Sequence, residues 1–338
     1  MFKSESVTFE YAKACGLLSK SFTGKRAHLL FEQSSLADLW QLLFKTQPPM
    51  IPERLLAEQI EKNCLKQFIT QFCNFMKTSG CTSEVLTDLL KDFEIENLKE
   101  IVAALCAGEK ECPELIDLGS LQTLKVENWP DIEKITEGTE YSWVNKLPDI
   151  HGQKDIDLKL DLHFIKSYWN AIQKLSGENK EAHLKMFLDE YIIKNIVWAL
   201  RLSVYYEMDE EQIKENLFYV TDHADKNDPL AGPAISVLSI PKNDYNAWMK
   251  WKYSSLVNPV SDGDTWTIDP VWIEQKAMVA TQKNYNHVFH QNSMTTAALV
   301  AWYKIKFFEL SCIRSAVESL RLNIDSTEAM NNLGISIE

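Results

Sequence analysis

The chain has 338 residues, which is long enough to bury a large core and favours two or three structural units. Its 45% apolar and 25% charged content is that of an ordinary soluble protein, and only 11 Gly and 11 Pro favour long helices over strands joined by turns. Lys and Arg number 35 against 48 Asp and Glu, and the net charge of −13 argues against a general nucleic-acid binder.

Apolar residues at helical spacing recur through the first third of the chain. They predict helices over 9–22, from Ser35, over 52–80, from Ser83 and over 93–107. Ser35 and Asp38 resemble a capping box, and Gly80 and Gly108 are typical helix terminators. The next stretch, 113–148, contains several helix breakers and predicts one or two helices with exposed turns.

The remainder of the chain continues the helical pattern, with one looser region. We predict helices over 157–175, 181–206, 210–220, 244–253, 271–282 and 292–322. Asp, Asn, Pro and Gly accumulate between 221 and 270, and 323–338 has the composition of a tail. Almost no segment alternates as a strand does, so we predict an all-α fold.

The predicted helix 292–322 has an apolar stripe that contains one acid. Asn292 or Ser293 is placed to cap it, and Trp302 and Cys312 belong to the stripe. Glu309 lies within the same stripe, where a carboxylate is costly unless it is paired or reaches water.

Three helices share a weak common pattern around Asn97, Asn195 and Cys312. Each anchor is followed by an apolar residue, and the anchors are roughly 100 residues apart, which suits diverged units of domain size. Coincidence between amphipathic helices is the alternative.

Motifs along most of the chain resemble the C-type stalk subunits of bacterial and archaeal V/A-type rotary ATPases, which are equivalent to the d-type subunits of the vacuolar ATPases. They are Tyr11–Ala14 with Leu17-Leu18, the segment from Ser35 to Leu43, Glu94–Leu98, 157–169, Asn195 to Arg201, and Trp302 to Arg314. The sequence departs from the family pattern at Gly16, at Ile192, where an acid is usual, and at Cys312, where Asn is common.

The resemblance implies three similar helical units around a pseudo-threefold axis, forming a funnel-shaped body. We expect the units to span 1–115, 116–220 and 221–338, the last with a loop-rich start and a C-terminal tail. The family role implies a non-catalytic rotor subunit of the central stalk, at the cytoplasmic face of the membrane. Its expected partners are the central shaft subunits and the proteolipid ring, and its expected task is torque transmission for ATP-coupled ion or proton transport. Glu309 is expected to pair with a cation from a neighbouring unit and to fix how the units dock.

Candidate chemical sites are few. The segment Asp222–Asp228 has oxygen ligands at alternate positions that suit Ca²⁺ or Mg²⁺, yet it lacks the glycine and the later glutamate of a calcium loop, so a solvated acidic loop is favoured. His287 and His290 have helical spacing for a metal pair without an identifiable third ligand. No Walker A loop, dinucleotide fingerprint or nucleophile elbow occurs, so we predict no catalytic, cofactor-binding or metal residue.

Two other interpretations compete with the stalk role. One is a stand-alone helical scaffold that binds proteins, and the other is an all-helical enzyme that uses the Asp222–Asp228 acids with a metal. The aromatic, locally basic segment 245–253 suits either a membrane interface or a packed helix face, and the second is favoured.

Compartment is indicated by the cysteines and by hydropathy. The seven cysteines form no CxxC pair, and no signal peptide precedes them, which favours reduced thiols in the cytoplasm. No apolar run of about 18 residues lacks charges, so we predict no membrane span.

Overall fold

The protein is described here by a computed structural model that covers residues 2–79, 83–149, 152–260 and 265–335. Across these ranges every regular element is a helix, which confirms the all-α prediction. The α-helices are α1 (Phe2–Leu18), α2 (Leu36–Phe44), α3 (Glu53–Ser79), α4 (Glu84–Cys106), α5 (Ile132–Thr136), α6 (Gln153–Gln173), α7 (Gly177–Tyr205), α8 (Glu210–Lys214), α9 (Ala231–Val237), α10 (Tyr245–Trp248), α11 (Pro270–Gln291), α12 (Thr296–Leu322) and α13 (Ser326–Asn332). None of the helices within these ranges has the length and apolar content that crossing a bilayer requires.

Helix ends in the first half differ from the prediction in three places. The first helix begins at Phe2 rather than at Phe9, and it ends at Leu18 rather than at Phe22, which is buried beyond the helix end. The two helices predicted from Ser83 and over 93–107 are a single helix, α4, because apolar residues continue through the predicted gap without a breaker. Gly80, the predicted terminator of α3, lies outside the described residues.

The predicted helix 292–322 starts later than its sequence pattern indicates. Asn292 closes α11, where its backbone N–H donates to the Val288 carbonyl at 2.9 Å. The N-cap of α12 is Thr295, whose backbone is extended and whose hydroxyl accepts from the Ala297 amide. The segment 292–295 is therefore a turn between two helices, and the predicted caps Asn292 and Ser293 are wrong.

Four further elements differ in length, among them α11, which continues to Gln291 beyond the predicted 271–282. Only Glu210–Lys214 of the predicted helix 210–220 is helical, and only Tyr245–Trp248 of 244–253. The predicted tail contains α13, which buries Ala329 and Met330 against the C-terminal half of α12. Two buried apolar side chains account for this packing of a segment that is otherwise polar.

Three of the long helices, α4, α7 and α12, run in the same direction. The Tyr303 hydroxyl donates to the Leu89 carbonyl at 3.3 Å, and one turn further along both helices the Phe93 and Phe307 rings lie 6.3 Å apart. A second pair of contacts, from His183 to Thr296 and from Glu190 to Lys304, relates α7 to α12 in the same way.

The first half of α12 is enclosed by other helices. All seven residues from Ala297 to Tyr303 are buried, and seven consecutive residues cover every side of a helix. Only further along does α12 become amphipathic, with Arg314 exposed opposite the buried Cys312 and Ile313. The amphipathic stripe predicted for this helix is thus confirmed for its second half alone.

The chain ends meet through a second apolar cluster. It combines Phe22, Leu39, Ile60 and Cys64 from the first 64 residues with residues of α12 and α13. The N-terminal and C-terminal parts of the chain are therefore packed together.

Two of the three repeat anchors make the same contacts. The Asn97 side chain donates to the Ile116 carbonyl and accepts from the Ile116 amide, both at 2.8 Å. Asn195 makes the corresponding pair with Phe218, at 2.7 and 2.9 Å. Each asparagine side chain supplies the hydrogen-bond donor and acceptor for the backbone of a loop that returns to its helix. The thiol of Cys312 cannot supply both. This shared contact supports a repeat over coincidence for α4 and α7.

We expect Asn97→Ala and Asn195→Ala each to lower the free energy of unfolding by about 1–3 kcal/mol, because a half-buried N–H and a half-buried C=O lose their partners. Urea unfolding measures the change. Asn243→Ala, at an exposed position, is the control and should stay within about 0.5 kcal/mol of the parent chain. Equal stability of all four proteins would show that the two side chains hold nothing in place.

Candidate functional site

A cavity of about 290 Å³ lies between α4, α7, α11 and α12. Its walls carry charged and aromatic side chains: Asp92 from α4, Glu190 and Lys194 from α7, Tyr285 from α11, and Lys304 and Phe307 from α12. The helices α4 and α7, which run parallel to α12, thus each contribute an acidic side chain to the same cavity.

Glu190 is the centre of an ionic network in the cavity wall. One carboxylate oxygen bonds Lys194 at 2.7 Å, and the other bonds Lys304 at 2.7 Å and the Tyr285 hydroxyl at 2.9 Å. The Glu190 and Lys304 side chains are 13% and 14% exposed, so their pairing is little screened by water. The network ties α7, α11 and α12 together.

Burial opposes the charge on Glu190, but its two lysines outweigh burial. The pKa of Glu190 is consequently held well below its ordinary value. Tyr285 is affected in the opposite sense: burial, and then the neighbouring Glu190 charge, raise its pKa well above the usual range. At neutral pH the tyrosine is therefore a hydrogen-bond donor to a permanent carboxylate.

Asp92 faces the same cavity without a partner among the described residues. It is half-buried, and burial raises its pKa despite the nearby Lys304 and Lys194. Phe307 lines the same cavity and is 42% exposed. An unpaired carboxylate and an exposed aromatic ring that line one cavity are suited to bind a cationic side chain.

The sequence contains a signal for two of these residues. Asp92 and Glu190 each precede their repeat anchor, Asn97 and Asn195, by five residues, and Phe307 precedes Cys312 by the same interval. Equal offsets on similar helices place these three side chains on equivalent faces. The partners Tyr285 and Lys304 have no such signal, because they follow from how α11 and α12 pack against α7.

A second polar groove, of about 380 Å³, separates α4 from α6. Its charged groups bind one another: Asp88 bonds Lys91 at 2.9 Å and accepts from Ser167 at 3.2 Å, and Lys174 bonds Glu84 at 2.6 Å. These pairs join the two helices and leave no unpaired charge facing a ligand among the residues that line it.

Glu309 is buried, and its partners differ from the predicted ones. Its carboxylate pairs with Lys306, which is on the same helix, and accepts from the backbone N–H of Phe22 at 2.5 Å. Lys306 also donates to Ser21 at 3.0 Å. The predicted cation from a neighbouring unit is therefore wrong, because the nearest cation is one turn away on α12. The long-range contact goes instead to the chain just after α1.

The acidic loop Asp222–Asp228 is organised around a buried carboxylate. Asp228 is 1% exposed and accepts from the amides of Val220, Thr221, Leu230 and Ala231, all within 3.0 Å. The interpretation as a wholly solvated loop is wrong for this residue, because its oxygens satisfy backbone donors at the start of α9. Within the described ranges, no three His, Cys, Asp or Glu side chains are grouped as metal ligands would be.

The remaining sequence candidates lie apart from the cavity. His287 and His290 are exposed on α11, where the His290 ring contacts the Tyr11 hydroxyl at 3.1 Å. In the segment 245–253, Trp248 is fully buried and donates to the Pro241 carbonyl at 3.0 Å. This favours the packed interpretation of that segment. The described cysteines are free thiols, and Cys81 lies outside the described residues.

Comparison with known proteins identifies the family. Residues 12–332 match the family described as ATP synthase (C/AC39) subunit, and the chain belongs to this family. A relative from Treponema pallidum (strain Nichols), described as an uncharacterized protein, is 25% identical over 333 residues that cover 96% of each chain. The match extends over all the helices that form the cavity.

We expect Glu190→Gln to destabilise the fold by about 2–3 kcal/mol at neutral pH, because two lysines lose their counter-charge. Since the folded pKa of Glu190 lies below the unfolded value of about 4.3, its contribution is present above that pH and is lost as pH falls through the folded pKa. The stability gap between parent and variant should therefore shrink in acid. Urea unfolding from pH 7 to pH 3 measures it, with the exposed Glu181→Gln as control. A gap that is constant with pH would contradict the ionic role.

We expect Glu309→Ala to lower the free energy of unfolding by about 2–4 kcal/mol, because Lys306 and the Phe22 amide are left without their acceptor. Glu318→Ala removes an exposed ion pair from the same helix and should cost less than about 1 kcal/mol. Thermal unfolding compares the two variants. An unchanged midpoint for Glu309→Ala would remove its assigned role in docking the chain after α1.

Proposed function

We propose that this member of the ATP synthase (C/AC39) subunit family is a non-catalytic rotor subunit of the central stalk of a V-type ATPase or ATP synthase. In this role it links the central shaft to the membrane proteolipid ring, at the cytoplasmic face, and transmits torque for ATP-coupled ion transport. The family match supports membership in such a complex. The observation that carries the finer role is the cavity to which α4, α7 and α12 turn equivalent faces.

The proposal includes three helical units, 1–115, 116–220 and 221–338, arranged around a pseudo-threefold axis. Support comes from contacts that close a ring. The first and second units meet where α4 packs on α6, the second and third where α7 packs on α11, and the third and first where α12 packs on α3. Asn97 and Asn195 make equivalent hydrogen bonds to the loops after their helices, as expected for diverged copies of one unit.

Torque transmission requires a body that does not twist under load. Close-packed long helices resist deformation, and their ionic ties fix them against one another. Glu190 joins α7 to α11 and α12, while Lys99 joins α4 to α6 through Asp161 at 2.6 Å. These ion pairs and hydrogen bonds connect different proposed units, and torque would have to pass through those same contacts between units.

In the proposed assembly the cavity, of about 290 Å³, receives a side chain from the end of the shaft. Asp92 and Phe307 are the side chains available to it, because Glu190 is already saturated by its own partners. A lysine or arginine of the shaft would pair with the carboxylate and lie against the ring. The acidic balance of the whole chain, −13, favours a basic partner surface.

Co-purification tests the proposed function. An affinity-tagged full-length chain, isolated from membranes of its own organism in mild detergent, should bring down the catalytic, shaft and proteolipid subunits in fixed ratios. Recovery of the chain without those subunits, from cells that express them, would contradict the proposal.

We expect Asp92→Lys to reduce binding of the shaft by about tenfold or more, because it replaces the carboxylate with a positive charge that repels the cationic side chain of the shaft. Asp222→Lys makes the same charge change in an exposed loop and should bind as the parent chain does. Binding is measured with the purified shaft protein at low and physiological salt. Equal affinity of the two variants would place the shaft elsewhere.

A further inference from the structure

The stretch from Tyr11 to Phe31 differs in charge from the rest of the chain. It contains three lysines and one arginine and neither aspartate nor glutamate. The whole chain has 48 Asp and Glu in 338 residues, an average that would place about three acids in a stretch of this length. A chain of net charge −13 therefore has one locally basic region, which the cavity and the stalk role do not use.

The outer face of α1 is exposed within this region. Ala14 is fully buried against the body, whereas Phe9 and Gly16, on the opposite face, are exposed, Phe9 to 59%. Lys13 is at the edge of the exposed face, with its ammonium 5.0 Å from the centre of the Phe75 ring on α3. Contacts near both ends of α1 show that it runs parallel to α12. Its outer face is therefore on the flank of the molecule.

Three more cations are in the loop that follows α1. The Arg26 guanidinium donates to the Ser19 carbonyl at 2.7 Å and lies 5.3 Å from the centre of the Phe22 ring. Because Lys20 follows Ser19 in the chain, these contacts hold the guanidinium beside Lys20. Lys25 directly precedes the arginine. All three cations are exposed, and no ion pair in the described part of the chain uses them.

The cations follow the axis of α1. Lys13 and Lys20 are seven residues apart, which places them on the same side of the helix and about 10 Å apart along its axis. The Lys20 amide donates to the Leu17 carbonyl at 3.1 Å, so a helical turn continues to this lysine. Carboxylates about seven residues apart on a second helix have the same spacing. We call Lys13, Lys20, Lys25 and Arg26 the basic row.

Charge and shape together select the partner of the basic row. A guanidinium binds a carboxylate through two parallel N–H bonds, and each lysine adds a point charge. Anionic lipid would meet the row as a broad plane, and the acidic remainder of the chain would repel that plane. Nucleic acid is disfavoured for the same reason. An acidic helix is narrow enough to contact the row alone, and Phe9 offers it an apolar contact.

We propose that the basic row is a docking surface for an acidic α-helix of another protein, which packs along the outer face of α1. The surface is separate from the cavity, so the inference goes beyond the proposed function and does not depend on it. A helix of about 15 residues covers the distance from Phe9 to the end of the row. Side-by-side packing places this partner on the flank of the molecule, away from the ends of its long helices.

Photocross-linking in intact membranes tests the proposal. The full-length chain carrying Ala12→p-benzoylphenylalanine, a change at an exposed position of the outer face, is expressed in its own organism. Light should join this position to a segment of another protein that has at least two Asp or Glu about seven residues apart. Cross-links only to lipid, only to a second copy of this chain or only to segments without such acids would overturn the proposal. The absence of any cross-link would overturn it as well.

A charge reversal tests whether the cations hold the partner. Lys20→Glu with Lys25→Glu should reduce the yield of the cross-linked product by about tenfold, because attraction becomes repulsion. The matched control, Lys226→Glu with Lys250→Glu, makes the same charge change at exposed positions elsewhere and should stay within about twofold of the parent yield. Thermal unfolding first checks that both variants fold as the parent does. Equal yields from the two variants would overturn the proposal.

Discussion

The enclosure of the first half of α12 is the constraint on which the rest of the structure depends. Residues Ala297 to Tyr303 are buried on every side, so other helices must surround them completely. Long parallel neighbours, α4 and α7, and antiparallel ones, α3 and α11, provide that enclosure. The cavity arises where the enclosure opens, at the point where Lys304 and Phe307 replace small and apolar residues on the same helix.

Buried carboxylates fix the parts of the chain that apolar packing leaves undetermined. Glu94 accepts from the amides of Thr123 and Leu124, Asp228 from four loop amides, and Glu309 from the Phe22 amide. Each removes the cost of burying backbone donors that no helix satisfies. Ile192, which precedes Asn195 by three residues as Glu94 precedes Asn97, cannot act in this way, and the loop after α7 obtains its acceptor from Asp228 instead.

Much of the fold was predictable from local pattern, whereas the site was predictable only in part. Apolar spacing located most of the long helices, and the anchors Asn97 and Asn195 were identified before their shared contacts were known. Asp92 and Glu190 could have been found from their common offset to those anchors. The partners of Glu190 and Glu309 could not, because apolar periodicity specifies a buried face and does not specify which side chain of a distant helix meets it.

The sequence by itself determined the all-α class, the approximate course of the helices and the family of the chain, because these follow from residue spacing along a single helix or from motifs within it. Tertiary structure alone decided that 292–322 is a turn followed by a helix, and that Asp228 is a buried carboxylate that accepts hydrogen bonds from loop amides. It also decided that Asp92 is left unpaired beside a saturated Glu190. The physical reason is that burial, pairing and exposure are properties of contacts between helices far apart in sequence.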